Sequence, residues 1–350
     1  MVIEQGSIYE LLQLLLQHTR GDRSLLPIQL PGRVRRMMRR WTGRNSIGRS
    51  ERNVAHHYDI DSRLYDLFLD ADKQYSCAYF ERPEMSLEEA QLAKKRHIAA
   101  KLAIDPGMSV LDIGCGWGGM ALYLKGVAGA GRVRGITLSK EQLAIARRRA
   151  AEQGIDPASF ALEDYRNTTG RYDRIVSVGM FEHVGVGHFD EFFRLTGRLL
   201  AEDGVMLLHT IGRTGVPDFT NPWITRYIFP GGHLPTLSEI TPAVERAGLA
   251  VTDIEVLRLH YVQTLRHWRQ RFMENREEAA RLYDERFCRM WECYLAMSEA
   301  AFRFEDLVVF QLQITKANDV LPVTRAYISE REEALRLAES APVAVRPPAA

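Results

Sequence analysis

The chain has 350 residues, of which 46% are hydrophobic, and a formal net charge of +1. This length suits one large domain with an appendage, and the near-zero charge provides no field that would attract nucleic acid. The four cysteines show neither CxxC spacing nor a disulfide framework, so we predict a reducing, cytoplasmic setting without a metal site.

Residues 1–52 are predicted to form a small helical region. Glu4 lies where a signal peptide would be basic, and the apolar run that follows is too short to span a bilayer. Residues 33–52 contain eight arginines and a single acid, interleaved with Met37 and Trp41. This segment is either a solvated basic helix or an interfacial helix that contacts anionic phospholipid.

Residues 53–335 alternate short β-branched runs with helix-like stretches, which predicts an α/β domain. Continuous apolar runs are typical of buried parallel strands, so we expect a mostly parallel sheet with helices on both faces. The Ala/Pro-rich tail, residues 336–350, is predicted to be disordered. The strand-like runs are SVLDIG (109–114), RVRGITL (132–138), FALED (160–164), DRIVSVG (173–179) and GVMLLHTI (204–211).

A glycine-rich turn, DIGCGWGG, follows the first of these runs. Gly114 and Gly116 would permit a tight turn and the close approach of a ligand, although packing of a helix against the sheet is an alternative. The spacing differs from the GxGxxG of dinucleotide enzymes, and the second run ends in Thr137 without an acid for a ribose hydroxyl. Both features argue against an NAD-dependent enzyme.

The fourth run ends in MFEH, which puts Glu182 and His183 where parallel sheets bind ligands, at the carboxyl ends of the strands. Glu182 is either a functional carboxylate or an acid favoured by a helix N-terminus. His183 is expected to point away and to pack or hydrogen-bond locally.

Several motifs resemble the cyclopropane fatty acyl phospholipid synthases and the related mycolic acid cyclopropane synthases. The resemblance extends from about residue 53 to 330 and implies a Rossmann-like class I methyltransferase with a seven-stranded sheet. It also implies a lipid-binding insertion at about 213–240. The motifs are YSCAYF, VLDIGCGWGGMALYL, GITLSKEQ, SVGMFEHVG, LLHTIG, WITRYIFPGGHLP and HYVQTLRHWRQRF.

The resemblance implies that the methyl donor S-adenosylmethionine binds at the glycine-rich turn. Asp112 and the turn would hold its amino acid end, and Leu162 and Glu163 would frame its adenine. The full set implied is Tyr75, Ser76, Asp112, Gly114, Cys115, Gly116, Gly118, Thr137, Leu138, Ser139, Gln142, Leu162, Glu163 and Val178.

The family uses a bound bicarbonate ion as base, and the resemblance implies a cradle that holds this anion. Its predicted members are Cys77 and Ile211, through their backbones, and the side chains of Glu182, His209 and Tyr261. The alternative for His209 is a structural role, as a buried histidine whose ring is hydrogen-bonded within the protein. Six aromatic residues are expected around the acyl channel, where π faces would stabilise a carbocation: Tyr79, Phe80, Trp223, Tyr227, Phe229 and Trp268.

These expectations together predict transfer of a methyl(ene) group to the cis double bond of an unsaturated phospholipid acyl chain, which forms a cyclopropane. The alternatives are a methylene- or methyl-branched product, methylation of another lipid or a small amine, or a noncatalytic S-adenosylmethionine-binding membrane protein. The protein is expected at the inner face of the membrane as a peripheral protein, and a homodimer is left open. Glu299 is expected on a solvated helix face, with a position facing the cleft as the alternative.

Overall fold

The computed structural model describes Ile3, residues 5–19 and residues 61–340. The arginine-rich segment 33–52 and residues 341–350 lie outside the described residues, so the expectations for them stay predictions.

A seven-stranded, mostly parallel sheet forms the centre of the domain, which confirms the predicted fold class. The strand order is β3-β2-β1-β4-β5-β7-β6, and β7 runs antiparallel to both of its neighbours. Each of the five apolar runs in the sequence overlaps one strand, from β1 to β5. The strands are β1 Ser109–Ile113, β2 Arg132–Thr137, β3 Phe160–Leu162, β4 Tyr172–Val178, β5 Leu200–Arg213, β6 Ala250–Leu257 and β7 Leu307–Thr315.

The strands are continuous apolar runs and need cover on both faces of the sheet. Helices provide this cover. One face packs against α3, α4 and α5 through residues such as Leu207, and the other packs against α6 and α8 through residues such as Leu208. The helices are α1 Ile8–Thr19, α2 Ser62–Asp66, α3 Leu87–Leu102, α4 Gly119–Gly126, α5 Lys140–Glu152, α6 Phe189–Leu199, α7 Pro222–Tyr227, α8 Leu237–Arg246, α9 His260–Glu274, α10 Arg276–Leu282, α11 Glu285–Phe304 and α12 Ala326–Ser340.

Helices α9, α10 and α11 form a helical cap with a separate aromatic core. Trp268 and Trp291 are fully buried in it, and Phe68 packs between them with ring centroids 6.1 and 5.9 Å away. No helix within the described ranges is long and apolar enough to cross a membrane.

Glu299 in α11 is fully buried, so the expectation of a solvated helix face is wrong. Packing of α9 against α11 brings Arg269 Nε to 2.8 Å and Arg266 Nε to 3.4 Å from its carboxylate. Helix α1 also packs on α11, and the Arg269 guanidinium lies 4.8 Å from the ring centroid of Tyr9. The carboxylate is tolerated inside because it is paired with two cations.

The predicted disordered tail begins too early, because α12 continues through residues 336–340. Glu339 explains the extension. Its carboxylate accepts hydrogen bonds from Arg96 Nη2 at 2.7 Å and from the Tyr123 hydroxyl at 2.6 Å. Both partners are buried side chains that need an acceptor.

We predict that Glu339→Ala lowers the free energy of unfolding by about 1–3 kcal/mol, because two buried donors lose their acceptor. The matched control is Glu333→Ala, since Glu333 lies on the same helix but pairs only with the more exposed Arg336. Urea denaturation of both variants measures the difference. Equal effects would show that α12 contributes through helix formation alone.

Candidate active site

Two cavities lie side by side at the carboxyl ends of the parallel strands. The first has a volume of about 140 Å³ and is lined by the glycine-rich turn and the ends of β1, β2 and β4. The second, of about 170 Å³, lies beneath α9, α11 and the segment 213–240. Four residues line both cavities and form their shared wall: Tyr75, Ser76, Gly179 and His183.

The glycine-rich turn leaves room for a ligand in the first cavity. Gly114 has a φ of +81°, and a Cβ there would lie 2.7 Å from Met180 Cβ, so another residue would clash. Gly116 has a φ of +54°, and a Cβ at that position would meet no heavy atom within 4 Å. The turn thus brings bare backbone to the cavity before α4 begins.

Asp112, in β1, is the main charged group of the first cavity that lacks compensation. It is 1% exposed, its Oδ2 has no hydrogen-bond partner among the described residues, and burial raises the pKa of its carboxyl to about 7. A buried carboxylate is costly unless a cation or donor approaches it. The ammonium group of an amino acid ligand would supply one, so the residues present fit the amino acid end of S-adenosylmethionine.

Polar side chains at the ends of β2 and β3 complete this cavity. The Thr137 hydroxyl donates to Gln142 Oε1 at 2.9 Å, which fixes both side chains at the cavity wall. Glu163 forms an ion pair with Arg134. Eleven of the fourteen predicted cofactor residues line the first cavity: Tyr75, Ser76, Asp112, Gly114, Cys115, Gly116, Thr137, Leu138, Gln142, Glu163 and Val178.

The other three predicted cofactor residues have different places. The Ser139 hydroxyl caps α5 by accepting the Gln142 N–H at 3.3 Å, and Gly118 precedes α4 and faces Phe160. Leu162 is 45% exposed, which also rules out the alternative of ordinary core. Sequence reasoning left out several further lining residues. Trp117 and Met120 lie within the glycine-rich motif, whereas no quoted motif contains Lys73, Gln74, Tyr165 and Arg166.

All five residues predicted for the anion cradle line the second cavity: Cys77, Glu182, His209, Ile211 and Tyr261. They come from a loop, a 3-10 turn, β5 and α9, so the chain assembles them from distant segments.

Glu182 is the buried carboxylate of the second cavity. Its Oε1 accepts the backbone N–H of Ile211 at 2.6 Å, whereas Oε2 has no partner in the described part of the chain. Burial raises the pKa of Glu182 to about 7, and the Ile211 hydrogen bond offsets only part of this shift. The prediction that the Ile211 N–H serves the anion is therefore wrong for this arrangement, since that donor holds Glu182.

His209 lies near the end of β5 and is 2% exposed. Burial, together with the positive charges of Lys94 and Lys101, lowers its pKa well below the usual value, so the ring is neutral at neutral pH. Gln311 Nε2 lies 3.2 Å from His209 Nδ1. The alternative, a buried histidine whose ring is hydrogen-bonded within the protein, thus holds for Nδ1 only. The ring also lines the second cavity.

The aromatic lining differs from the predicted set. Of the six predicted residues only Phe229 lines the second cavity, since Tyr79 stacks between His97 and His260 and Trp268 is fully buried in the cap. Trp223 and Tyr227 lie on α7, and Phe80 packs on His267. The aromatic side chains that line the cavity are Tyr75, Phe229, Tyr261, Tyr294 and Phe302.

The loop that forms half of the shared wall is held from beneath by α3. Gln91 Nε2 donates to the carbonyls of Gln74 and Ser76 at 3.1 and 3.0 Å. Lys94 Nζ donates to Gln74 Oε1 at 2.6 Å and to Ser76 Oγ at 2.8 Å. Burial lowers the pKa of Lys94 to about 8. Sequence reasoning missed this support because a helical lysine is normally solvent-exposed.

His183 also differs from the expectation that it points away. It lines both cavities, and burial lowers its pKa to about 4, so it is a neutral ring in the shared wall. Within the described ranges no group of three or more His, Cys, Asp or Glu side chains is arranged to hold a metal ion.

Comparison with known proteins identifies similar sequences and structures. The family model for mycolic acid cyclopropane synthetase matches residues 45–312. A probable fatty acid methyltransferase of Pseudomonas putida is 42% identical over 258 residues, which are 71% of this chain and 65% of that protein. The cyclopropane-fatty-acyl-phospholipid synthase of Escherichia coli K12 is 42% identical over 260 residues, which are 74% of this chain and 66% of that protein.

Among solved structures, mycolic acid cyclopropane synthase CmaA1 complexed with SAH and CTAB matches with a TM-score of 0.70 and 35% identity. The match covers 75% of this chain and 97% of that one. The match to the two bacterial relatives therefore spans slightly less than two thirds of their length, whereas it spans nearly all of CmaA1.

We predict that Glu182→Gln stabilises the protein increasingly as the pH rises. The folded-state pKa of about 7 exceeds the usual 4.5, so wild-type stability declines from pH 4.5 to 7 as the buried carboxyl must ionise. The variant does not undergo this decline in the free energy of unfolding. For a pKa shift of this size, the decline amounts to about 3 kcal/mol above pH 7.

Urea denaturation of both proteins at several pH values measures this difference. Glu202→Gln is the control, because Glu202 is an exposed carboxylate whose pKa is lowered by Lys316 and Arg171. A pH-independent difference between wild type and Glu182→Gln would contradict the raised pKa.

Proposed function

The chain belongs to the mycolic acid cyclopropane synthetase family, and we propose that it transfers a methyl(ene) group from S-adenosylmethionine to the cis double bond of an unsaturated phospholipid acyl chain. The product is a cyclopropane fatty acid, formed with bound bicarbonate as the base. One observation carries the proposal: a polar, glycine-lined cavity and a largely aromatic cavity with a buried carboxylate share a wall of four residues.

The first cavity suits the methyl donor. Asp112 would pair with the ammonium group, the backbone at Gly116 would lie against the amino acid end, and Thr137 with Gln142 would meet the ribose. The structure of CmaA1, which is 35% identical, contains SAH, and this supports a ligand of the same class for this chain. The donor's methyl would then face the second cavity past Tyr75 and Gly179, which line both cavities.

The chemistry requires the surroundings that the second cavity provides. An isolated double bond is a weak nucleophile, so the reaction needs an activated methyl group in a water-poor pocket. Bound S-adenosylmethionine supplies the activated methyl group, and bound bicarbonate supplies a base. The electron pair of the double bond would form the bond to the methyl carbon as its bond to sulfur breaks. This releases S-adenosylhomocysteine and leaves a positive charge on the other alkene carbon. Loss of a proton from the new methyl provides the electron pair that closes the ring.

Residues of this chain would stabilise the charge and position the base. The faces of Tyr75, Tyr294 and Phe229 offer cation–π stabilisation without a nucleophile that would trap the cation. The unpaired Oε2 of Glu182 would accept the hydroxyl proton of bicarbonate, while the imidazole of His209 and the phenol of Tyr261 would donate to its other oxygens. The Ile211 N–H would act indirectly, since it holds Glu182 in place.

The name of the Pseudomonas putida relative, a probable fatty acid methyltransferase, favours a second candidate product. If the proton leaves a neighbouring chain carbon instead of the new methyl, the same two cavities would give a methyl-branched alkene. If a hydride first shifts so that the positive charge lies on the methyl-bearing carbon, loss of a proton from the new methyl would give a methylene branch. The fate of the proton depends on where the base lies, so the product has to be measured.

The decisive experiment incubates the protein with methyl-labelled S-adenosylmethionine and a phospholipid that carries cis-unsaturated chains. We expect label in the lipid, a mass increase of one CH₂ and the upfield ring-proton signals of a cyclopropane in the NMR spectrum. Signals of a new exocyclic methylene or trisubstituted alkene, distinct from the vinyl protons of the unreacted cis double bond, in place of ring protons would establish a branched product. Absence of label from the lipid, with intact cofactor binding, would support a noncatalytic binding protein or a different acceptor.

We predict that carbon dioxide-free buffer slows turnover and that added bicarbonate restores it. Glu182→Gln should lower turnover at least about 10²-fold, as expected for lost general-base function. Cofactor affinity should change little, because Glu182 lines only the second cavity. Asp112→Asn is the matched control, since it should weaken cofactor binding first. Turnover that is insensitive to bicarbonate while Glu182→Gln remains inactive would assign the base to Glu182 itself.

The acyl chain must reach the second cavity from a membrane, and we propose that the segment 213–240 contacts the lipid surface. Val216, Phe219 and Tyr227 are 69, 40 and 45% exposed, although they are apolar or aromatic. They flank lining residues of the second cavity such as Ile224. Exposed apolar side chains at the edge of a lipid cavity are typical of interfacial contact.

We predict that the double substitution Phe219→Ser and Tyr227→Ser weakens binding to anionic phosphatidylglycerol vesicles and lowers activity on vesicles more than on detergent-dispersed lipid. Val323→Ser is the matched control, because Val323 is fully exposed but follows β7. The last residue of β7, Thr315, pairs with Val205 in the first half of β5, whereas the segment 213–240 follows the end of β5. A vesicle sedimentation assay gives the binding. Equal loss in the two variants would place the membrane contact elsewhere.

A further inference from the structure

Three polar side chains form a row across the edge of the sheet, behind the second cavity. His209 of β5 is the register partner of Gln311 of β7, and Gln311 is in turn the register partner of Glu255 of β6. Register partners on neighbouring strands project to the same face of a sheet, so the three side chains lie side by side.

Helix α3 covers this row and adds the side chains of Lys101 and His97. Lys101 Nζ donates to Gln311 Oε1 at 2.9 Å and forms an ion pair with Glu255. His97 Nε2 lies 2.7 Å from the same Glu255 oxygen, and its Nδ1 lies 2.6 Å from Glu332 Oε1. A continuous hydrogen-bonded chain therefore leads from His209 through Gln311 and Lys101 to Glu255.

The hydrogen-bond donors and acceptors in this row of side chains can be assigned in only one consistent way. Lys101 is ion-paired and therefore protonated, and an ammonium group can only donate. The Gln311 atom facing it must be the carbonyl oxygen, so the amide nitrogen faces His209 and donates to Nδ1. A ring nitrogen that accepts carries no proton, and the neutral ring then carries its proton on Nε2.

This arrangement matters because, among the residues that the structure describes, the His209 ring has a hydrogen-bond partner at Nδ1 alone. Nδ1 is engaged by Gln311, which leaves the Nε2–H as the donor that His209 can offer to a ligand in the second cavity. The opposite tautomer would present a lone pair there and would repel an anion.

We propose that Lys101 and Gln311 are positioning residues that hold His209 as the neutral ring protonated at Nε2, so that it donates a hydrogen bond into the second cavity. Lys101 orients the Gln311 amide, and Gln311 selects the tautomer. Glu255 serves as the counterion that allows Lys101, which is 1% exposed, to remain charged inside the protein. The proposal rests on the proposed function only for the identity of the anion that receives the hydrogen bond.

The first test is the wild-type tautomer. In long-range ¹H–¹⁵N NMR spectra of protein with labelled histidines, assigned with the help of His209→Gln, we expect a protonated Nε2 and an unprotonated Nδ1 for His209. A proton on Nδ1, or a doubly protonated ring at neutral pH, would overturn the proposal. This readout needs neither substrate nor bicarbonate, so it separates failure of the inference from failure of the proposed function.

The second test reverses the amide. Gln311→Glu replaces the donor by a carboxylate, which can only accept, so the proton of His209 should move to Nδ1. The bicarbonate concentration for half-maximal rate should then rise about ten- to a hundredfold, the range expected when a hydrogen bond to a charged acceptor is lost. Lys101→Met should leave the amide unoriented and give a mixture of both tautomers.

Gln313→Glu is the matched control. Gln313 lies two residues along β7 on the same face and is also buried, but its amide donates to the Tyr327 hydroxyl and the Lys101 carbonyl. The His209 signals should be unchanged in this variant. Identical shifts in Gln311→Glu and Gln313→Glu, or an unchanged tautomer in a folded Gln311→Glu protein, would contradict the proposal.

Discussion

The active site depends on one constraint: a polar group removed from water must be held by hydrogen bonds from the protein. Glu182 meets it through the Ile211 N–H, and His209 meets it through Gln311. In each case one atom of the side chain is fixed and another remains for a ligand. Asp112 follows the same rule in the first cavity, where one carboxylate oxygen has no partner among the described residues. Burial thus requires a hydrogen bond that fixes each side chain, and the atom that remains is able to bind a ligand.

The antiparallel strand β7 adds a second function to the sheet. Besides placing site residues at the ends of its strands, the sheet carries the polar row that holds His209. Its register places Gln311 between His209 and Glu255, so the sheet edge that is distant from the glycine-rich turn carries a polar row instead of an apolar one. Helix α3 contributes to both cavities from beneath, through Lys94 under the shared wall and Lys101 behind His209. Two lysines of one helix, nearly two turns apart, therefore connect the cofactor side with the acyl side.

The sequence alone predicted the sheet and most of the site because these features reside in short, continuous motifs. A buried strand followed by glycines identifies the first cavity, and MFEH and LLHTIG identify Glu182 and His209. The supporting residues could not be found this way. Gln311 and Lys101 become partners only through strand register and helix packing, and Glu299 resembles a surface acid until its two arginines are brought to it. Leu162 is the last residue of the three-residue strand β3, and its 45% exposure could not be read from so short a run.

The narrow wall between the cavities also constrains the kinetics. Tyr75, Ser76, Gly179 and His183 line both sides, so a methyl group can pass directly from one ligand to the other without a covalent intermediate on the protein. Both ligands must then be present together, and we expect intersecting rather than parallel initial-rate plots when the two concentrations are varied. Because the rest of each lining is separate, spent cofactor can leave the first cavity while the second cavity stays occupied. Under the proposed function and membrane contact, successive acyl chains of one vesicle would then be modified before the protein dissociates.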